Sequence, residues 1–504
     1  MSQPSRSRHL FLACSAAWFA TALYSIMPAL AATSDAEYQE ACKLREGGKF
    51  QQAADCCIKL VKSNPSNPLY WTKLAECDVL LGHSDKAVEA SDKALSIDPK
   101  CGWAINLRAN AFLQKGNLKS ALEDANRLIE ISPRDVAGYY LRAVIYQALK
   151  DWKPAMADLN TCLDISPKNP DLYTKRAEIY FNTHDYDEVI PCCDNALRLN
   201  PKSWMAVSLK VRACMQRYEQ PQAIAEIHQA ETRGFTPLAL AKLCADEGLL
   251  QEAIIQYDKA EKNSKDQEIS HAGKATCYLQ LRRLDKAVDE ATEALKINPN
   301  NSQVYVLRAR CRAAQDKGKL AIADLTSAIT HDPKNATLFF ERGKVYMEQN
   351  VSRQAVDDFT TAINLKLINA RVLAKRGHCY LTLADLPAAL KDADRALLID
   401  PNCIHALHVH ALVNLEYKKY KFAMFDFQRV RQLAPNDAHT WELMAQVYGA
   451  SGDNKQCIYA LKKLLELEPN QKEAIVMLKE MQRRSTGSFT DTRPYPVIKL
   501  GTIR

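Results

Sequence analysis

The chain has few glycines and no cluster of basic residues. Only 16 of its 504 residues are glycine, and lysines and arginines are mixed with acidic residues along its whole length, with a formal net charge of +8. Nucleic-acid-binding domains usually carry clustered lysine and arginine on one face. The composition therefore argues against a nucleic-acid partner.

The sequence also lacks the motifs that mark common enzyme active sites. Gly47, Gly48 and Lys49 do not make a phosphate loop, because the upstream glycine spacing and the following Ser or Thr are missing. Neither a nucleophile elbow nor a His-Glu-x-x-His motif occurs. We therefore expect no catalytic residues, no metal and no cofactor.

A charge-free apolar stretch is present near the N-terminus. Arginines precede residues 10–32, which carry no charge, and Ala29 and Ala31 place small side chains at positions −3 and −1 of a cleavage site. This order is typical of secretory signal peptides. The stretch is also long enough to span a bilayer as an anchor. We predict an exported protein, periplasmic or extracellular, with residues 1–31 as signal peptide and an N-terminal anchor as the alternative. Membrane contact is expected only through residues 10–32, if they are retained.

Ten prolines fall on one 34-residue grid. Every interval between neighbours is 34 residues or a multiple of it, except the 98 residues from Pro201 to Pro299. Fixed spacing of this length indicates a chain built from repeated supersecondary units, each contacting mainly its neighbours. The prolines are Pro65, Pro99, Pro133, Pro167, Pro201, Pro299, Pro333, Pro401, Pro435 and Pro469.

The grid defines thirteen repeats between residues 34 and 471, numbered so that proline takes position 32. The sixth repeat, residues 204–233, has 30 residues, and the others have 34. Positions 8, 20 and 27 mostly hold alanine or glycine, with apolar residues at helical spacing between them. A turn former such as Gly82 or Gly116 often separates two such stretches. Each repeat is therefore predicted to be two helices that approach closely at the small residues.

The pattern resembles the tetratricopeptide repeat, with aromatic residues at positions 4 and 11, small residues at 8, 20 and 27, and proline at 32. Position 4 holds, for example, Trp71, Tyr139 and Trp441. The resemblance implies an all-α fold, namely a right-handed superhelical solenoid of helix-turn-helix repeats. It also implies a concave groove lined by the first helix of each repeat, and protein or peptide partners.

The repeats are predicted to form two groups. Repeats 1 to 6 cover residues 34–233, with the sixth shortened, and repeats 7 to 13 cover residues 234–471. A capping helix, residues 472–484, and a disordered tail, residues 485–504, are expected to follow. Because each repeat contacts mainly its neighbours, we predict that the shortened repeat causes a bend or hinge near residues 230–237.

A basic residue recurs at position 7, and an acidic residue follows 16 residues later. Repeats that lack the base also lack the acid, as with Leu74 and Ala90. We therefore predict an ion pair between the two helices of a repeat, which excludes these bases from ligand binding. Arg176 is an exception, because it faces Cys192. The pairs are Arg108–Asp124, Arg142–Asp158, Arg308–Asp324, Arg342–Asp358, Arg376–Asp392, Lys210–Glu226, Lys274–Glu290 and His410–Asp426.

The resemblance implies that positions 2, 5, 9 and 12 of each first helix face the groove. The N-terminal candidates combine aromatic rings with polar side chains, which suits an extended peptide. They are Trp103, Asn106, Asn110, Tyr140, Thr174 and Glu178. The C-terminal candidates are mostly basic, and they either hold an acidic segment or form a solvated polar face. They are Arg310, Phe340, Lys344, Arg371 and His378.

Histidine and cysteine residues offer a metal-binding alternative. Imidazoles such as those of His405, His408 and His439 bind transition metals, but no carboxylate or Cys-x-x-Cys motif completes a site. We therefore predict that these histidines line the groove without metal. The 16 cysteines show no regular pairing pattern, which favours small buried thiols over a disulfide framework.

These features predict a non-enzymatic, exported protein–protein interaction scaffold or adaptor that binds peptide segments of partner proteins in its concave groove. The alternative is an envelope-associated assembly or chaperone-type factor that is anchored by its N-terminal segment.

The two interpretations of the N-terminus predict different mature proteins. If the signal is cleaved, the protein isolated from its native host begins at Ala32 and is recovered without membranes, because cleavage removes the apolar stretch. Intact mass measurement and N-terminal sequencing of the native protein test this. A chain that retains residues 1–31 and sediments with membranes would instead support the anchor.

Overall fold

The computed structural model describes residues 36–485. Within this range the chain forms 27 α-helices and no strands, which confirms the all-α class. None of these helices is both long and apolar enough to cross a membrane. The predicted signal peptide or anchor and nearly all of the predicted tail lie outside the described residues.

The helices are numbered α1 to α27 in chain order, and each repeat supplies an odd-numbered first helix and an even-numbered second helix. Repeats 1 to 6 comprise α1 Ala36–Glu46, α2 Phe50–Ser63, α3 Pro68–Leu81, α4 Ser84–Ile97, α5 Gly102–Lys115, α6 Leu118–Ile131, α7 Val136–Ala148, α8 Trp152–Ile165, α9 Pro170–Asn182, α10 Tyr186–Leu199, α11 Trp204–Gln216 and α12 Gln220–Thr232. Repeats 7 to 13 comprise α13 Pro237–Asp246, α14 Leu250–Ala260, α15 Gln267–Gln280, α16 Leu284–Ile297, α17 Ser302–Ala314, α18 Gly318–His331, α19 Ala336–Glu348, α20 Ser352–Asn364, α21 Ala370–Thr382, α22 Leu386–Ile399, α23 Ile404–Glu416, α24 Tyr420–Leu433, α25 Ala438–Ser451 and α26 Asn454–Leu467, and α27 Lys472–Ser485 follows them.

Contacts divide the chain into two compact segments, one up to Thr236 and one from Pro237. In each segment, the two helices of a repeat pack against each other and against those of the next repeat. The buried alanines at positions 8 and 20, such as Ala75 and Ala87, let the helix pairs approach closely. The hinge proposed near residues 230–237 concerns the arrangement of the two segments and stays a prediction.

The proline grid has a structural cause in the link between neighbouring repeats. Each grid proline follows the end of a second helix, and its carbonyl accepts a hydrogen bond from the position-4 aromatic residue of the next repeat in several cases. Trp71 Nε1 donates to Pro65 O at 2.8 Å, and Tyr173 Oη donates to Pro167 O at 3.1 Å. The side chain of Asn67, which lies between Pro65 and Trp71 in the sequence, caps α3 by accepting a hydrogen bond from the backbone amide of Leu69. Proline, cap and aromatic residue therefore act together at each such link.

Every first helix ends with the same backbone conformation. Position 15 has a positive φ, between 58° and 80°, in all thirteen repeats. Five repeats have glycine there, whereas eight have other residues, among them Lys150 and Tyr218. The amide of this residue and the amide that follows it donate to carbonyls of the last turn, as when Gly82 N donates to Val79 O and His83 N donates to Asp78 O. Packing of the helix pair therefore imposes this turn even where the residue disfavours it.

The two glycines at position 8 differ in the space around them. A Cβ atom on Gly343 would lie 2.8 Å from the ring of Phe359, which is fully buried. A Cβ atom on Gly377 would lie no closer than 3.3 Å to its neighbours. The helix pair of repeat 10 therefore requires glycine more strictly than that of repeat 11.

This difference predicts unequal effects of two chemically identical substitutions. Gly343→Ala should lower the free energy of unfolding by about 1–3 kcal/mol, because the buried ring cannot move away from the new methyl group. Gly377→Ala, the matched control, should change it by less than about 1 kcal/mol, because better helix propensity offsets slight crowding. Urea unfolding followed by circular dichroism measures both. Equal transition midpoints for the two variants would contradict the packing described here.

Candidate functional site

The position-7 bases pair with the acids of their own repeats, which confirms the predicted ion pairs. Arg342 donates to both carboxylate oxygens of Asp358, at 2.8 and 2.7 Å, and these bonds raise the pKa of Arg342. Such bidentate pairs fix the guanidinium in one orientation. Arg176 donates instead to the sulfur of Cys192 at 3.3 Å. The same bidentate geometry holds Arg108, Arg142, Arg308 and Arg376.

Each of these bidentate arginines also reaches the second helix of the preceding repeat. Arg342 Nη1 donates to Thr326 Oγ1 at 3.1 Å, and Arg108 Nη1 donates to Asp92 Oδ1 at 2.7 Å. The sequence contains a signal for this contact, because a hydroxyl, amide or carboxyl side chain stands 16 residues before each base. The predicted pairing, which considers only the acid 16 residues after each base, does not include this contact. These guanidinium groups join three helices and have no free edge for a ligand.

Three of the N-terminal candidates lie on α5. Asn110 Nδ2 donates to Asn106 Oδ1 at 2.9 Å, and the Nδ2 atom of Asn106 is buried without a hydrogen-bond partner among the described residues. The ammonium of Lys73 lies 4.6 Å from the centroid of the Trp103 ring, within cation–π range. This part of α5 therefore combines an unused amide donor with a half-buried aromatic ring.

The other three N-terminal candidates are buried more deeply than the sequence suggested. Tyr140, Thr174 and Glu178 are 6%, 6% and 8% exposed. Burial raises the pKa of Tyr140, the hydroxyl of Thr174 donates to the carbonyl of Pro170, and Glu178 accepts from Lys175 at 2.7 Å. A peptide in this region would contact mainly Trp103 and Asn110. The N-terminal binding surface stays a prediction.

The C-terminal candidates surround a cavity of about 390 Å³ between α17, α19 and α21. Arg310, Phe340 and Arg371 line it, and Val306 and Val372 add apolar surface. Lys344 lies beside it, with its ammonium 5.5 Å from the ring centroid of Phe340. The structure therefore brings four of the five C-terminal candidates together around one apolar cavity.

One acidic residue neutralises two of these bases. Glu341 lies between them, with one oxygen 3.0 Å from Arg310 Nη2 and the other 2.7 Å from Lys344 Nζ. Burial opposes ionisation of Glu341, but the hydrogen bonds from Lys344 and Arg310 hold its pKa below the ordinary value. Arg310 and Lys344 have no acidic residue 16 positions later, and Glu341 of the cavity lining serves as their acidic partner instead. Glu76 makes a similar bridge between Arg45 and Lys73 in repeats 1 and 2, but these bridges recur too rarely for the repeat pattern to reveal them.

A second set of bases has no acidic partner. Arg371, Lys375, His378 and His405 make no ion pair within residues 36–485. Burial, followed by the charges of Arg371 and Lys344, lowers the pKa of Lys375. Burial, followed by the charges of Lys375 and His405, lowers the pKa of His378 to about 4. His378 is therefore neutral at pH 7, and Lys375, which lies outside the groove positions predicted from the sequence, acts electrostatically on it.

Two histidines of repeat 12, His408 and His410, form hydrogen bonds within the array. His408 Nε2 lies 2.9 Å from the hydroxyl of Thr440, and its ring centroid lies 5.8 Å from that of His439. His410 pairs with Asp426 at 2.6 Å, which raises its pKa. Between residues 36 and 485 no group of three His, Cys, Asp or Glu side chains has a metal-binding arrangement. The cysteines of the same range are free thiols, and most are buried.

Comparison with known families agrees with this architecture. Profiles of the tetratricopeptide repeat match residues 38–100, 107–177, 170–203, 270–301 and 438–471. Together with the helix pairs and the consensus positions described above, these matches place the chain in the tetratricopeptide repeat family. Members of this family serve as protein–protein interaction scaffolds, typically bind proteins or peptides, and are generally not enzymes.

Solved structures with similar folds share little sequence with this chain. Yeast Tom70 is 16% identical, with a TM-score of 0.36, over 89% of this chain and 98% of Tom70. The APC/C hetero-tetramer Cut9–Hcn1 is 15% identical, with a TM-score of 0.42, over 90% of this chain and 97% of that chain. PilF of Pseudomonas aeruginosa is 19% identical, with a TM-score of 0.38, over 44% of this chain and 100% of PilF. With TM-scores below 0.5, these likenesses carry no argument about function. Among curated proteins, none matches this chain.

The histidine environments predict different titrations for three imidazoles. His378 and His408 should titrate near pH 4, because burial is the main cause of their lowered pKa, whereas His410 should titrate above its ordinary value. NMR spectra of the imidazole protons measure all three, with His410 as internal control. A common titration point for the three would contradict the structure.

These shifts also fix the sign of the pH dependence of stability. The unfolded chain binds protons more readily at His378 and His408, so their contribution to the free energy of unfolding decreases as pH falls from 6.5 towards 4. His410 acts oppositely, because its stabilising contribution is present at low pH and is lost as pH rises through its raised pKa.

Proposed function

We propose that the protein is an exported scaffold that binds an extended peptide segment of a partner protein along its first helices. The observation that carries this proposal is the cavity of about 390 Å³ between α17, α19 and α21. Its volume falls in the range of ligand-binding pockets. The apolar lining of Val306, Phe340 and Val372 suits a hydrophobic side chain of the bound segment.

The position of the cavity supports a peptide ligand in particular. It is lined by side chains from three successive first helices and by Leu367 and Asn369 of the loop before α21. An extended segment uses alternate side chains to fill such pockets, and its backbone bonds polar groups at their edges. Arg310 and Glu341 on α17 and α19 supply polar groups at this cavity.

Export is the part of the proposal that rests on the N-terminal sequence. Residues 10–32 are free of charge and precede a small-residue cleavage site. The same stretch supports a second candidate, an anchored assembly or chaperone-type factor at the cell envelope. In both cases the repeats would present the groove to a protein partner outside the cytoplasm.

A pair of phenylalanine substitutions tests the binding site. Phe340→Ala, in the full-length chain, should reduce recovery of crosslinked partners from the native host about tenfold, because aromatic anchors dominate interface energies. Phe422→Ala is the control, because Phe422 is 64% exposed on α24, a second helix, and lines a different cavity. Quantitative mass spectrometry of the captured proteins gives the measurement.

The outcome must be separated from loss of folding. Phe340 is 9% exposed, so its truncation costs up to several kcal/mol of stability, and urea midpoints must show that both variants are folded during capture. Partners lost with Phe422→Ala but kept with Phe340→Ala would place binding on the other helices and contradict the proposal.

A further inference from the structure

The environment of Lys375 differs from that of the other half-buried lysines on first helices. Lys274 lies within 3.1 Å or less of carboxylate oxygens of Asp258, Glu261 and Glu290. Lys210 contacts two carboxylates in the same way. Lys375 forms no ion pair within residues 36–485; the charges of Arg371 and Lys344 lower its pKa, and Glu348 opposes them from beyond ion-pair distance. The ammonium groups of Lys274 and Lys210 are paired with carboxylates of the chain, whereas that of Lys375 is not.

Arg371 connects these unbalanced bases to the cavity. Its guanidinium lines the cavity and lies 5.7 Å from the ring centroid of Phe340. It also acts electrostatically on both Lys375 and His405. Arg371 therefore lies at the apolar pocket, and Lys375, four residues further along α21, shares its face of the helix.

We infer that the segment bound here is an acidic peptide, whose apolar side chain enters the cavity and whose neighbouring carboxylate pairs with Lys375 and Arg371. This inference rests on the proposed function and specifies its ligand. A carboxylate would supply the charge that the chain itself does not, and charge complementarity of this kind gives interfaces their specificity. It would also form charge-assisted hydrogen bonds with both bases.

The tail of the same chain does not have the required charge. Residues 486–504 contain Arg493, Lys499 and Arg504 but a single acid, Asp491. Like charges placed against each other oppose association. The occupant is therefore a segment of another protein.

A half-buried ammonium without an ion pair, such as that of Lys375, lowers the stability of the folded chain. A role in binding explains why a lysine is present there. Burial and neighbouring positive charges both disfavour the charged form of Lys375. Residues that serve binding are often those whose replacement stabilises the free protein. Lys375→Met should therefore weaken peptide binding and, at the same time, raise the urea midpoint of the free protein. A lysine with a structural role would give the opposite change in stability.

Binding should also be coupled to proton uptake. His378, neutral at pH 7 with a pKa of about 4, would have that pKa raised by a bound carboxylate. Affinity should then increase as pH falls from the raised pKa of His378 in the complex towards its value of about 4 in the free protein, because the complex binds protons more readily over that interval. The groups that face His378 and Lys375 are Arg371 on α21, Lys344 and Glu348 on α19, His405 on α23 and His439 on α25.

The test begins with a displayed library of random short peptides selected against the full-length protein. Selected peptides should be enriched in Asp or Glu next to an apolar residue. Fluorescence anisotropy with a labelled selected peptide should show about tenfold weaker binding to Lys375→Met. Lys391→Met is the matched control, because Lys391 is exposed on α22, and it should change neither affinity nor urea midpoint.

The possible results separate this inference from the proposed function. Selection of neutral or basic peptides that lose binding with Phe340→Ala would overturn the acidic specificity and leave the groove as a peptide site. Failure to select any peptide, or binding indifferent to both Phe340→Ala and Lys375→Met, would overturn both proposals. A Lys375→Met variant that is less stable and binds the acidic peptide normally would show a structural role only.

Discussion

A half-buried base that joins three helices is the interaction on which the stack depends. In repeat 10, Arg342 donates hydrogen bonds to Asp358, on the second helix of the same repeat, and to Thr326, on the second helix of the preceding repeat. Because guanidinium is planar and binds in two directions at once, it fixes the angle between helices as well as their distance. Repeats without the base use apolar packing instead, since Leu74 and Ala90 are buried in one cluster. The first helices, and the side chains that line the cavity, are placed by these contacts.

The periodic contacts were predictable from the sequence, and the singular ones were not. Arg342 and Asp358 belong to a pattern that recurs along the chain, so their pairing could be read from the spacing alone. Glu341, which neutralises Arg310 and Lys344, belongs to no position that is acidic throughout the repeats, so its role could not be inferred from the periodicity. Periodicity also indicates which face of a helix a residue occupies but not how deeply it is buried, which explains why Tyr140 was expected at the surface of the groove and lies 6% exposed.

In repeats 9 to 12, the basic residues differ in whether the chain itself supplies an acidic neighbour. Where a base has an acidic neighbour, as Lys344 does in Glu341, its charge is used within the chain. Where it has none, as at Lys375, the positive potential remains available to whatever approaches. Two lysines with the same chemistry but different neighbours therefore contribute in opposite ways. Counting basic residues along a groove is a poor guide to what it binds unless their acidic neighbours are known.

The left-handed residue that ends every first helix has an evolutionary consequence. Eight of the thirteen turns hold this conformation without glycine, at a cost of about 1–2 kcal/mol each, and the fold tolerates it in every case. The residue at this position is therefore free to vary, and Tyr218 shows how far such a side chain can project, since it is 95% exposed. The turns thus form a series of positions whose side chains differ from repeat to repeat within this chain. New surface contacts can arise there by drift while the helices that hold the groove stay unchanged.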